Sequence, residues 1–140
     1  MSECEMYEGQ SASAVLTVTS ADIDAFATLT GDVNPLHMDA RFARESGFDR
    51  RVAHGMLLCG YVSRIFGMQL PGTRCLIHSV RANFAAPAYE GDTIEVKVTI
   101  VQASQALGAL VAQFSIVNVA TGKQLVRGQA QLGLTRRKVE

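Results

Sequence analysis

The stretch His54-Gly55-Met56-Leu57-Leu58-Cys59-Gly60-Tyr61-Val62-Ser63-Arg64-Ile65-Phe66-Gly67-Met68 decides the fold. At 100° per residue, Met56, Leu57, Leu58, Tyr61, Val62, Ile65 and Phe66 cover most of a helix's circumference. A helix apolar nearly all round belongs in an interior and needs a layer wrapped around it. Gly60 and Gly67 share one of its faces, and each costs roughly 1 kcal/mol against Ala in a helix. Close approach of a sheet to that face is the expected compensation. The run is too short to span a bilayer and carries Arg64, which must reach water, a carboxylate, a partner chain or a phosphate. Pro71-Gly72 ends it.

Downstream, the chain supplies the wrapping layer. Leu76 to Phe84, Thr93 to Ala103, Leu107 to Val119 and Gln124 to Thr135 are β-prone. The second alternates, with Ile94, Val96, Val98 and Ile100 on one side and Glu95, Lys97 and Thr99 on the other. Ser104-Gln105 and Thr121-Gly122 are short connections, so the last three strands form an antiparallel meander. The fold class predicted is α+β, a curved antiparallel sheet wrapped around one long helix, in a single domain of 140 residues.

Upstream, Ala14 to Val18 reads as an edge strand. Thr19 or Ser20 caps a helix with Asp22 and Asp24 in its first turn and Ile23, Phe26 and Ala27 on its buried face. Asp39 to Glu45 is a second short helix, with Phe42 and Ala43 inward and Gly47 at its end. Phe48 to Ala53 is a charged connector containing Asp49, Arg50 and Arg51.

Between the two helices lies Thr30-Gly31-Asp32-Val33-Asn34-Pro35-Leu36-His37. Pro35 fixes its own φ and pushes Asn34 out of the α region, so an irregular loop is expected. Such a loop can swing Asp32 and His37 toward one point, where a carboxylate and an imidazole make a general acid–base pair on a shared water. Asn34 either orients that pair or forms an Asx turn before Pro35. Gly55, at the head of the apolar helix, offers an unpaired N–H favoured by the helix dipole, suited to a developing oxyanion. Easing the start of the helix is its simpler reading.

Formal net charge is zero, and the only basic run is Arg136-Arg137-Lys138, so nucleic acid is not an expected partner. Cys4, Cys59 and Cys75 lack metal-ligand spacing and fit a reducing compartment better than a disulfide framework. Met1 to Gln10 is acidic without an apolar core, so no secretory signal is expected. A soluble cytoplasmic protein that neither enters a membrane nor binds a metal is the expectation.

Phe26, Leu29-Thr30-Gly31-Asp32, Asn34-Pro35-Leu36-His37 and Ala43 stand at the spacing of the hydratase motif of the MaoC-like (R)-specific enoyl-CoA hydratases, which the chain resembles. His54-Gly55-Met56, Phe84, Pro87 and Gly91-Asp92 extend the resemblance. It implies the hot-dog fold, a homodimer or higher homo-oligomer, and reversible hydration of trans-2-enoyl thioesters to (R)-3-hydroxyacyl thioesters. It implies no metal or redox cofactor, coenzyme A being the carrier of the substrate. By the same resemblance Asp32 and His37 are the catalytic pair, Gly55 is the oxyanion site and Asn34 is a third polar position. Ser63 and Phe66 lie where acyl length is set, and bulky Phe66 favours short or medium chains. His54 is grouped with the substrate-binding residues, with capping or packing as its other reading, and His78 is expected to have no role. Many relatives carry a basic residue just after the equivalent of Phe84, where this chain has Ala85 and Ala86. A dehydratase acting on 3-hydroxyacyl groups held by acyl carrier protein is therefore the near alternative, with a hot-dog thioesterase and a non-catalytic acyl-binding module behind it.

Overall fold

The computed structural model describes residues 5–136; Cys4, Arg137 and Lys138 lie outside them. The order is β1 (Ser11–Thr17), α1 (Ser20–Thr30), α2 (Pro35–Met38), α3 (Ala40–Glu45), α4 (Gly55–Met68), β2 (Cys75–Phe84), β3 (Thr93–Ser104), β4 (Ala109–Asn118) and β5 (Gln124–Leu134). One five-stranded sheet runs β1-β3-β4-β5-β2, and all its pairings are antiparallel. The meander β3-β4-β5 is as expected, and β1 is an edge strand. The other edge is β2, which crosses back to pair with β5.

The alternation in β3 sets the register of the core. Ile94, Val96, Val98 and Ile100 are fully buried, and Val96, Val98 and Ile100 pair with Ile116, Phe114 and Ala112 of β4 on the same inner face. Against this inner face lie Leu58, Val62, Ile65 and Phe66 of α4, and the Phe66 and Phe114 rings meet edge to face at 6.2 Å. Fully burying each such aliphatic side chain contributes about 1.5–3 kcal/mol.

In three places the chain departs from its sequence reading. Helix α4 is buried on one side only, since Met56 is 65% and Met68 72% exposed and Gly60 and Ser63 also face outward. Among the described residues, no atom beyond the chain neighbours and the helix's own backbone lies within 4 Å of where a Cβ would stand on Gly60 or Gly67, so the sheet does not close on that face. The second departure is Phe42, which is 41% exposed while Ala43 is fully buried. Helix α3 has only six residues, and one narrow stripe of it reaches the core; Phe42, 100° round from Ala43, stays on the rim. The third is β4, which begins at Ala109 because the turn before it runs on to Gly108 at φ +59°, leaving Leu107 exposed.

Candidate active site

Helix α1 delivers the chain to the site. Thr19 Oγ1 accepts from the Asp22 N–H at 3.0 Å to start it, and Gly31, at φ +78°, ends it. That left-handed turn, costly for any residue with a Cβ, brings Asp32 back over the start of α4. The next segment is less irregular than its proline suggests. Pro35 occupies the first turn of α2, where its missing N–H removes nothing from the helix. Asn34 caps this turn, its Oδ1 accepting from the Leu36 N–H at 3.0 Å. Of its two readings, the Asx cap is the one formed here: the Asn34 carboxamide oxygen bonds the backbone, and its own N–H donates to Asp32 Oδ1 at 3.3 Å.

Helix α2 places His37 half-buried, and its Nδ1 lies 2.6 Å from the Val52 carbonyl. A carbonyl can only accept, so Nδ1 carries the proton and Nε2 is the nitrogen left for chemistry. His54 is 2% exposed and is held in the same manner, with Nε2–H donating to the Asp32 backbone carbonyl at 3.0 Å. Its ring stacks on that of His37, with centroids 3.9 Å apart at 28°, and tilts against Phe26 at 4.7 Å. Its Nδ1 is buried without a partner among the described residues. His54 thus packs beneath the site and ties the head of α4 to the Asp32 loop.

One polar or ring atom from each of Asp32, His37 and His54 lies within 4.8 Å of the others. This set is badly shaped for an ion. Stacked imidazole planes inclined by only 28° intersect far beyond the ~2.0–2.1 Å of a metal–nitrogen bond, so their lone pairs do not converge. An exposed carboxylate within 4.8 Å of the His37 ring, whose Nε2 is left free by the Val52 bond, suits a single water instead.

The cleft over these groups has a volume of about 300 Å³, with Thr30, Gly55 and Met56 completing its walls. The N–H groups of Gly55 and Met56 have no acceptor among the described residues and belong to the open first turn of α4. Met56 also lines a second, apolar hollow of about 450 Å³ between α4 and β2, so polar cleft and apolar groove share a wall. Ser63 and Phe66 line this groove with Val80, Ala82, Phe84 and Phe114. Phe66 is 1% exposed, so it forms the groove's floor and part of the core at once. Cys59 lies there as well, and burial pushes its thiol up, away from reactivity.

Sequence reasoning missed what stands behind His37. The Arg51 side chain, 13% exposed, donates from Nε to the His37 carbonyl at 2.6 Å and from its NH2 group to Asp24 Oδ1 at 2.5 Å. Glu90 Oε2 lies 4.0 Å from its Nε, and Glu90 in turn accepts from the Ser20 hydroxyl. The one signal was a charge set directly before the apolar pair Val52-Ala53.

A curved antiparallel sheet packed on one side of a central helix, with an Asp–His pair over that helix's first turn, defines a hot-dog hydro-lyase scaffold. The chain belongs to the MaoC like domain family, whose pattern matches residues 5–127. It is 35% identical over 131 residues to the (R)-specific enoyl-CoA hydratase of Rhodospirillum rubrum, covering 90% of this chain and 86% of that one. To the (R)-specific enoyl-CoA hydratase of Aeromonas caviae it is 34% identical over 136 residues, covering 96% and 99%. Among solved structures, the (R)-hydratase from A. caviae involved in PHA biosynthesis superposes with a TM-score of 0.87 at 31% identity, over 92% of this chain and 97% of that one.

Proposed function

We propose that the protein is an (R)-specific enoyl-CoA hydratase, adding water reversibly across trans-2-enoyl thioesters to give (R)-3-hydroxyacyl thioesters. The observation that carries this reading is the Asp32 carboxylate within 4.8 Å of the His37 ring, His37 being fixed by Val52 so that its Nε2 stays free.

Hydration of an enoyl thioester has three needs. The water must lose a proton as it attacks C3, C2 must gain one, and the thioester oxygen must be held while it carries enolate charge. Asp32 and His37 Nε2 hold the water between them. Its hydroxyl goes to C3 and its other proton reaches C2 on the same face, a syn addition. The Gly55 N–H at the start of α4 receives the thioester oxygen, a donor worth about 3 kcal/mol in such sites. The helix dipole adds to it. The acyl chain lies along the apolar groove over Ser63 and Phe66, whose closed floor favours short and medium chains. No metal or redox cofactor takes part; coenzyme A enters only as the carrier.

The exposed edge β2 and the open face of α4 support a homodimer. Ile77 is 40%, Val80 46% and Phe84 48% exposed, an apolar strip along the groove that favours a covering surface. A second copy laid on this strip covers the groove and pairs the free edge. No described helix is long and apolar enough to cross a membrane.

Ala85 and Ala86, where a basic residue would face a phosphate, keep acyl carrier protein as the second reading for the carrier. Crotonyl-CoA and crotonyl-acyl carrier protein, followed by loss of the conjugated absorbance and assayed for free thiol, separate the possibilities. Faster loss with the coenzyme A thioester and no thiol supports the hydratase. Faster turnover of the carrier-protein substrate moves the assignment to a dehydratase, thiol release moves it to a thioesterase, and inertness to both refutes an enzyme of this class.

A further inference from the structure

We infer that Arg51 is the positioning residue of the site, setting where the His37 imidazole stands without touching the substrate. The inference rests on the reading of His37 as an acid–base group.

Three observations carry it. First, Arg51 is nearly buried yet charged, and such a guanidinium persists only when its donors are matched. Its fork is matched, Nε to the His37 carbonyl at 2.6 Å and NH2 to Asp24 at 2.5 Å, with Met38 Sδ at 4.0 Å. Second, the adjacent residue holds the other end of the same histidine: the Val52 carbonyl accepts from His37 Nδ1, and the Val52 N–H donates to Leu36 at 3.2 Å. Two consecutive residues thus grip His37 by main chain and by ring, leaving Nε2 as its one uncommitted polar atom. Third, the guanidinium brings three separate segments of the chain to one point. Asp24 is on α1, His37 on α2, and Glu90 on the turn between β2 and β3, where it also receives the Ser20 hydroxyl. Helix α2 is a single turn of four residues with none buried, so packing alone does not fix it.

A lysine cannot replace this fork, because an ammonium is a point donor and cannot span carbonyl and carboxylate in one plane. Catalytic groups displaced by about 1 Å lose roughly 100-fold in rate.

The test compares Arg51→Lys, Arg51→Ala and His37→Asn with the parent on crotonyl-CoA, recording kcat and KM separately with a melting curve for each. Arg51→Lys is expected to fold, to lose roughly 10- to 100-fold in kcat and to keep KM within about twofold. Arg51→Ala is expected to lose at least as much and to regain part of it with added guanidinium ion. Should Arg51→Ala not fold, Asp24→Ala, at a side chain that is 56% exposed, releases one arm of the fork and is expected to lower kcat severalfold. Full kcat in Arg51→Lys, or a loss confined to KM, overturns the inference while leaving the His37 reading intact. Full activity in His37→Asn overturns that reading instead.

Discussion

Replacing His37 by Asn separates its two tasks. The side-chain amide nitrogen of Asn reaches roughly where imidazole Nδ1 stands, so it can keep the bond now made to the Val52 carbonyl at 2.6 Å. It has nothing at the position of Nε2. His37→Asn should therefore fold like the parent but lose the proton transfer, a drop of about 10²- to 10⁴-fold in kcat. His37→Ala loses the anchor as well. Val52 is 9% exposed, so its stranded carbonyl costs about 1–3 kcal/mol, which lowers Tm by several degrees in a chain of this size. The assay is loss of crotonyl-CoA absorbance, paired with a thermal melt. Both variants should be comparably inactive, and only the Ala variant should melt early. If His37→Asn kept more than a tenth of the parent kcat, the free Nε2 would not be the working atom. If His37→Ala melted with the parent, the Val52 bond would not be holding the ring.

Other expected outcomes follow from packing, exposure and burial. A Cβ on Gly128 would come within 2.2 Å of the Arg81 carbonyl and of the Phe114 ring, and the first is backbone that cannot step aside. Gly128→Ala should cost about 1–3 kcal/mol or more and lower Tm accordingly; an unchanged melt would mean that β2 and β5 pair differently. Val80→Lys puts a charge on the apolar strip of β2, and light scattering should show the proposed dimer shifted toward monomer with the secondary structure retained. A parent already monomeric at working concentration would remove the basis for that assignment. The Tyr61 hydroxyl is pushed well above its ordinary range, chiefly by burial and further by its bond to Asp22 at 2.7 Å. A folded value above the unfolded one means that its stabilisation is complete below about pH 10 and is lost as pH rises above it. Tyr61→Phe should flatten that alkaline loss of Tm, and an identical pH profile in both proteins would exclude Tyr61 as its source.

The outline of the fold was legible because two periodicities are strong. The apolar content of residues 54–68 demanded a wrapping layer, and the alternation in β3 gave both the sheet and its inward face. The open side of α4 was not legible, because apolar periodicity marks what seeks cover and not whether the same chain supplies it. The exposed Met56 and the empty space around Gly60 are of this kind. At the site, Asp32 and His37 were readable as a pair from the motif, since Gly31 turns the chain into Asp32 and the helical turn begun at Pro35 carries His37. The roles of Asn34 and His54 were left open because capping and lining use the same residue types, and only coordinates tell where an oxygen or a ring nitrogen is spent. Arg51 was invisible for another reason: its partners, Asp24 and Glu90, lie 27 and 39 positions away, and no local pattern encodes such a meeting.

The most direct test is the configuration of the product that the purified protein makes from crotonyl-CoA. The expected product is (R)-3-hydroxybutyryl-CoA with the thioester intact, formed by the parent and reduced at least 100-fold in Asp32→Asn. An (S) product, a cleaved thioester, or undiminished turnover in Asp32→Asn would contradict the proposed function.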